Sequence, residues 1–417
     1  MKESTTPSAE AAAKPKGPLN WVIGILGSYG LCCLCLSFLF VLTLFGTLHQ
    51  RDHGLYEAKK MFFNSFFLWR EVGGMNLPIF PGGVTSMMIL TLNLIVGGLL
   101  RINWAARNAG VILIHFGIIF MMGAGLVKMT NSQEGHLTLW EEDNSRTLSD
   151  ERRSGHFQSY TLWEVAIWEM EGKASRVEYI IPDDSFTFLT GGQQRVFRNA
   201  DLPFDLTLRG FVKNCNVLPK GPNWEATGEV IDGYGILKFD PDSESERNLA
   251  GMHAEVMIDG KVERSILFGA QRTPWIILAD GKRFAIDMRH TRYSMPYDIR
   301  LEDFVKEDHP GMSMAKAFRS VVTRIDGRGD EKILIQMNEP LRDGGLVLFQ
   351  SSWGPSNARP GDPLFSVFSV VRNPSDKWPE YAMWVIALGL LITFCRTLFR
   401  FSRKQLAEFK KKISTQS

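Results

Sequence analysis

One stretch limits what this chain can become more than any other: GVILIHFGIIFMMGAGLVK, residues 110–128. It is apolar and long enough, as a helix, to cross a bilayer. Inside hydrocarbon the backbone must satisfy its own polar groups, and a single apolar segment does so as a helix. Its interior carries one ionisable side chain, His115. Such a residue is costly at that depth, so His115 is a hypothesis about function from the start.

The rest of the chain can be placed relative to this run. A mean hydropathy of −0.07 looks soluble, but it averages apolar ends with a polar middle. Residues 1–18 form a tail rich in Ala, Lys, Ser, Thr and Pro, read as disordered. Further apolar runs fall at 19–48, 83–100 and 379–399, with the histidine-bearing run at 109–129. The first is too long for a signal-peptide core and lacks a small-residue cleavage pattern, so it reads as a retained span. Gly24, Gly27 and Gly30 allow close helix contact there. Residues 49–82 connect the first two spans. Within them, YEAKKMFFNSFFLW at 56–69 predicts an interfacial amphipathic helix.

Basic residues orient the spans. The N-tail, the RINWAARN turn after residue 100, and the C-tail at 400–417 are rich in Lys and Arg. The positive-inside rule makes all three cytoplasmic. Arg51, Lys59, Lys60 and Arg70 weaken the contrast, but the C-tail decides it. Residues 130–378 then lie on the outer, periplasmic side. His115 falls about 12 Å into its helix from the cytoplasmic end, at 1.5 Å per residue.

The polar block, 130–378, alternates β-branched and apolar residues in HLTLW, SYTLWEVAIWEM, DLTLRGFV, EKILIQM, GLVLFQSSW and SVFSVV. The dipeptides Asp232-Gly233, Asp259-Gly260 and Asp280-Gly281 punctuate it. Strands of period two joined by Asp-Gly predict antiparallel hairpins. One helix is expected at about 312–322. LPFDLTLRGFVK at 202–213 resembles MPYDIRLEDFVK at 295–306, which suggests two related β units, about 130–290 and 291–378. The fold class is thus four transmembrane helices (3 + 1) with a large extracytoplasmic antiparallel all-β domain.

Composition also excludes functions. A net charge of +2 gives no reason to expect nucleic acid. Of five cysteines, Cys215 alone lies in the polar block, and no CxxC or CxxCH occurs. That removes a thioredoxin-like centre, a cysteine zinc site and a c-type haem attachment site within this chain. The acidic pairs Glu141-Glu142 and Asp183-Asp184 stand on expected turns with no base or nucleophile beside them. No hydrolase, transferase or kinase constellation is visible.

Several segments, in order, resemble the ResB/CcsB proteins of system II cytochrome c biogenesis. These are GTLHQ at 46–50, IHFGIIFMMGAG at 114–125, MPYDIRLEDFVKEDHPGM at 295–312, AFRS at 317–320, IQMNEPLRDGGLVLFQSSWGP at 335–355 and SVVRNP at 369–374. The most specific piece is MNEPL to LFQSSW. The family has three N-terminal spans, a large extracytoplasmic domain and one last span, matching the topology read above. His49 departs from the pattern, standing where the family is expected to have proline.

The resemblance implies a bacterial inner-membrane subunit of a cytochrome c synthase. It would help carry haem b across the membrane for attachment to CxxCH apocytochrome c. It implies a CcsA/ResC-type integral membrane partner, apocytochrome c as a second, and a thioredoxin-like thiol reductase as a further one. No WWD-like tryptophan-rich segment is present, so the chain corresponds to the accessory half of a haem lyase. His115 matches the family's inner-site histidine and is the expected axial ligand.

Each candidate also has a plainer explanation. His115 could instead hydrogen-bond within a helix pair. Gly110, Gly117 and Gly123 would leave room for a flat macrocycle, or for a neighbouring helix. His49 and His53 flank a membrane exit, where they could receive haem or simply be solvated. His136, His156, His253, His290 and His309 show no ligand spacing and read as surface residues. Cys32, Cys33 and Cys35 read as helix filler. Cys215 reads as filler or a reactive thiol. Two other functions remain open: a membrane-anchored assembly protein whose β domain binds only protein, and, with less support, a b-type electron carrier.

Overall fold

The computed structural model describes residues 18–72, 74–141, 153–170, 177–221, 228–311, 315–359 and 361–416. The N-terminal tail read as disordered lies almost wholly outside the described residues. The chain divides into two compact units. One comprises Met1–His49, Glu57–Thr130 and Ser375–Ser417; the other comprises Gln50–Tyr56 and Asn131–Pro374.

The first unit is helical. It contains α1 (Pro18–Leu26), most of α2 (Tyr29–Ala58), α3 (Gly83–Asn93), α4 (Ala109–Asn131) and α5 (Trp378–Gln416). Four segments are long and apolar enough to cross a membrane: Tyr29–Phe63, Gly83–Leu100, Ala106–Asn131 and Trp378–Phe409. The chain is a membrane protein with the 3 + 1 arrangement. The first apolar run is broken at Gly27 and Ser28, and its helix resumes at Tyr29. Asn93 donates from its amide to the carbonyls of Leu26 (2.6 Å) and Ser28 (2.9 Å), satisfying the broken turn.

The connection differs from its sequence reading. Helical structure continues through Ala58 and a π-turn, Lys59–Phe63. It then gives way to a hairpin of β1 (Phe67–Val72) and β2 (Met75–Pro81). The aromatic residues at 56–69 are therefore split between helix and strand. Phe62 turns inward onto Leu42 and Leu68, so tertiary contacts override the continuous helical pattern.

The second unit is an antiparallel β domain. Its strands are β3 (Gln133–Trp140), β4 (Arg153–Glu169), β5 (Glu178–Pro182), β6 (Gln194–Phe197), β7 (Leu206–Val212), β8 (Cys215–Pro219), β9 (Val230–Ile231) and β10 (Tyr234–Lys238). They continue as β11 (Gly251–Ile258), β12 (Lys261–Phe268), β13 (Trp275–Ala279), β14 (Lys282–Asp308), β15 (Ala315–Ile325), β16 (Glu331–Gln336), β17 (Leu341–Asp343), β18 (Leu346–Gly354) and β19 (Phe365–Arg372). The largest sheet runs β16-β15-β14-β4-β3-β19-β18-β17, with β5 and β13 attached to β4 and β14. A four-stranded sheet runs β12-β11-β7-β6. The three Asp-Gly pairs form turns with both residues at positive φ, as hairpins of this kind require. The helix expected at 312–322 is not formed. Residues 312–314 lie outside the described set, and the rest is strand β15, in register with β14 and β16.

Among the described residues the domain holds two large hydrophobic cores. One draws on Trp163, Val165, Leu206, Leu208, Met252 and Ile286; the other on Leu137, Phe157, Ile299, Leu301, Val322 and Phe368. The long strands β4 and β14 serve both cores, one with each half. The division therefore does not follow chain order, because β3 and the first half of β4 join the second core. The two similar twelve-residue stretches occupy matching places. Phe204, Leu206 and Leu208 are buried in one core, and Tyr297, Ile299 and Leu301 in the other. Each strand also carries a bulge just after these residues, between Arg209 and Val212 in β7 and between Leu301 and Asp303 in β14.

Candidate functional site

His115 sits in the second turn of α4, half-buried among the helices. Its Nδ1 lies 2.8 Å from the carbonyl oxygen of Val111, one turn earlier. A carbonyl only accepts, so Nδ1 carries a proton, and in the neutral ring Nε2 is then the nitrogen with the free lone pair. Backbone carbonyls fix histidine ligands in this tautomer at metal sites. The ring rests on Gly98, where an added Cβ would meet Cδ2 at 2.2 Å and Nε2 at 3.0 Å.

Gly98 belongs to a π-helical segment, Leu94–Leu100, that continues α3. Such wide turns recur at functional positions. The segment also meets the break between α1 and α2: a Cβ on Gly97 would stand 3.3 Å from the Gly27 Cα, and Arg101 Nη1 reaches the Gly27 carbonyl at 3.3 Å. His115, Gly98, Asn93 and Gly27 thus form one contiguous patch. Asn93 and Gly98 were not singled out from the sequence. An amide within an apolar run and an adjacent glycine pair were the signals available.

The glycines read as clearance are occupied. A Cβ on Gly110 would lie 2.3 Å from Thr393 Oγ1 and 2.6 Å from the Gly389 carbonyl. One on Gly117 would lie 2.5 Å from Ile386 Cγ1. Their bare faces hold α4 against α5, as small residues do between membrane helices. Nothing lies within 4 Å of a Cβ built on Gly123. His49 is on α2, its ring 5.4 Å from that of Phe62.

On the β strands and their loops His309 is exposed, whereas His136, His156, His253 and His290 are half-buried. This corrects their reading as surface residues. Antiparallel pairing turned one face of each strand inward, which linear spacing does not reveal. Cys215 is buried, and burial pushes its thiol up to about 12. It is not a reactive thiolate at neutral pH. An open cavity of about 680 Å³ is lined by Arg209, Glu229, His253, Glu255 and Arg264. Its charges are matched in pairs, with Arg209 on Glu229 at 2.5 Å and Arg264 on Glu255 at 2.9 Å.

Together these features describe a four-helix membrane protein carrying a two-core antiparallel β domain and one carbonyl-oriented intramembrane imidazole. The ResB-like family matches residues 249–362, which take in the later half of the first core and much of the second. This overlaps the ResB/CcsB resemblance at 295–355, while the segments read at 46–50, 114–125 and 369–374 lie outside the match; a ResB-like match suggests involvement in cytochrome c biogenesis. No curated protein matches the chain.

Proposed function

We propose that the chain is the ResB/CcsB half of a system II cytochrome c synthase, residing in the bacterial inner membrane. Both termini are cytoplasmic and the β domain is periplasmic. Haem is its cargo. His115 Nε2 takes the iron as an axial ligand on the cytoplasmic side of the bilayer, and Val111 and Gly98 set the ring's tautomer and position. The carbonyl-held Nδ1 of a half-exposed intramembrane imidazole is the observation that carries this reading. Neutral imidazole is an ordinary axial ligand for haem iron.

The faces of Gly110 and Gly117 are covered by α5, so the macrocycle is received on the open side of His115, where a CcsA/ResC-type partner supplies the opposite wall. The β domain presents CxxCH apocytochrome c to that partner, which performs the thioether chemistry. A thioredoxin-like reductase would keep the apocytochrome thiols reduced. This chain is accessory to the lyase reaction. The runner-up reading, an assembly protein that binds no haem, uses the same β domain without the imidazole.

The test is the reduced absorbance spectrum of the purified chain, alone and with its partner, for wild type and His115→Ala. Haem lost in the variant and restored by added imidazole supports ligation. Haem retained unchanged sinks the assignment. An intact partner complex with no haem in either protein favours the assembly reading.

A further inference from the structure

His136 on β3 and His290 on β14 flank β4 in the sheet order β14-β4-β3. At this point β4 leaves the ladder. His290 pairs with Trp163 and Arg292 with Gln158, so residues 159–162 of β4 bulge opposite a single residue. Strand β3 meets β4 only at Gly135 with Ser159 and His136 with Gln158. Bulges of this kind redirect side chains and recur beside functional sites. Here the opening brings two imidazoles together, 6.1 Å between ring centres and with their planes at 81°. Trp163 stacks on His290 at 3.9 Å, and Tyr160 lies 5.5 Å from His136.

The Nδ1 atoms of both histidines are buried and have no hydrogen-bond partner among the described residues. Buried polar atoms are nearly always satisfied, so two orphans on neighbouring rings call for a shared ligand. Burial, reinforced by His136, pushes His290 down to about 4, and burial also lowers His136. A metal takes each imidazole in its neutral form.

The donor set selects the ligand. Among the described residues no group of three or more His, Cys, Asp or Glu is placed to hold a metal. This site therefore offers two neutral nitrogens and no anion. A divalent ion buried there would bring two uncompensated charges into an aromatic environment. Monovalent copper carries one charge and accepts two ligands. Two metal–nitrogen bonds of about 2.0 Å, plus roughly 1.2 Å from each nitrogen to its ring centre, span about 6.4 Å. The observed separation lies just inside that span. We propose that His136 and His290 form a two-coordinate site for one monovalent copper ion, with Trp163 and Tyr160 as its walls.

The test uses the full chain in detergent, with Cys32, Cys33, Cys35 and Cys395 replaced by serine so that thiols do not compete. Cu(I) is titrated anaerobically against a chromophoric chelator. One equivalent should be withdrawn, with quenching of tryptophan emission. His136→Ala and His290→Ala should each lose it, and His115→Ala should keep it. His290→Gln, with folding checked by circular dichroism, serves if the alanine variant is unstable. Failure of the unmutated histidine pair to withdraw copper would overturn the site, and so would full retention by folded single variants. Tighter binding of Zn(II) than of Cu(I) would overturn the choice of ion.

Discussion

The imidazole of His115 rests on the bare backbone of Gly98, where even a methyl group would stand 2.2 Å from Cδ2. The relationship joins a candidate ligand to the π-helical segment beneath it. Gly98→Ala should push the ring aside while leaving His115 and its Val111 contact chemically intact. Loss of an orienting contact typically costs about 10- to 100-fold in ligand affinity. Haem retention by Gly98→Ala should therefore fall by that order, with partial recovery on adding imidazole. Retention equal to wild type would show that the ring position does not matter.

Gly54 makes a different demand. It interrupts α2 with φ 78° and ψ 168°, and a Cβ there would lie 1.6 Å from the carbonyl oxygen of Ser243, in the same compact unit. Backbone strain alone at such a position costs about 1–3 kcal/mol. The steric clash adds to it. Gly54→Ala should lower the thermal midpoint by about 2–4 °C per kcal/mol lost, for a domain of this size. Gly24→Ala is the control, since nothing lies within 4 Å of its built Cβ. Equal midpoints for the two variants would remove Gly54 from this role.

The sequence revealed some levels of this structure and concealed others. Apolar length and Asp-Gly turns are local properties, and both were largely legible: the last three spans and the positive-φ hairpins lie where they were expected, while the first span, read at 19–48, is broken at Gly27 and Ser28 and runs on to Phe63. The expected helix at 312–322 failed because Ala, Lys and Phe at 315–318 suit either state, and pairing with β14 decided between them. The packing of Gly110 and Gly117 against α5 was undecided because a glycine stripe fits a helix and a ligand equally well. His136 and His290 were set aside because their proximity depends on sheet order and on a bulge in β4. No window of local sequence contains either fact.

Arg289 tests how the β domain tolerates charge. Its Nε donates to Glu164 Oε1 at 2.9 Å and its Nη2 to Glu178, with the Arg289 and Glu164 side chains almost wholly buried. Removing one partner of a buried pair leaves an uncompensated charge and costs about 3–5 kcal/mol. Arg289→Met should destabilise the domain by that order. Adding Glu164→Gln to Arg289→Met should recover part of the loss, because one of the two stranded carboxylates is gone. A measured double-mutant cycle with no coupling between the two positions would contradict the ion-pair account.

The half-buried histidines give the domain a pH dependence with a definite sign. His156 is pushed down to about 4 by burial, then by the nearby Arg292 and Arg289; His290 is also pushed to about 4. An unfolded histidine titrates near 6.5. In the folded state these rings therefore bind fewer protons between about pH 6.5 and 4, and stability rises with pH across that window. Their contribution is fully present above pH 6.5 and is lost as pH falls toward 4. The denaturant midpoint of the metal-free chain should drop over this range, with up to one proton taken up on unfolding per histidine. His156→Gln should flatten the slope without removing it, and His156→Gln with His290→Gln should flatten it further. If wild type and the double variant show the same slope between pH 6.5 and 4, the dependence belongs to other groups and these two rings are not its source.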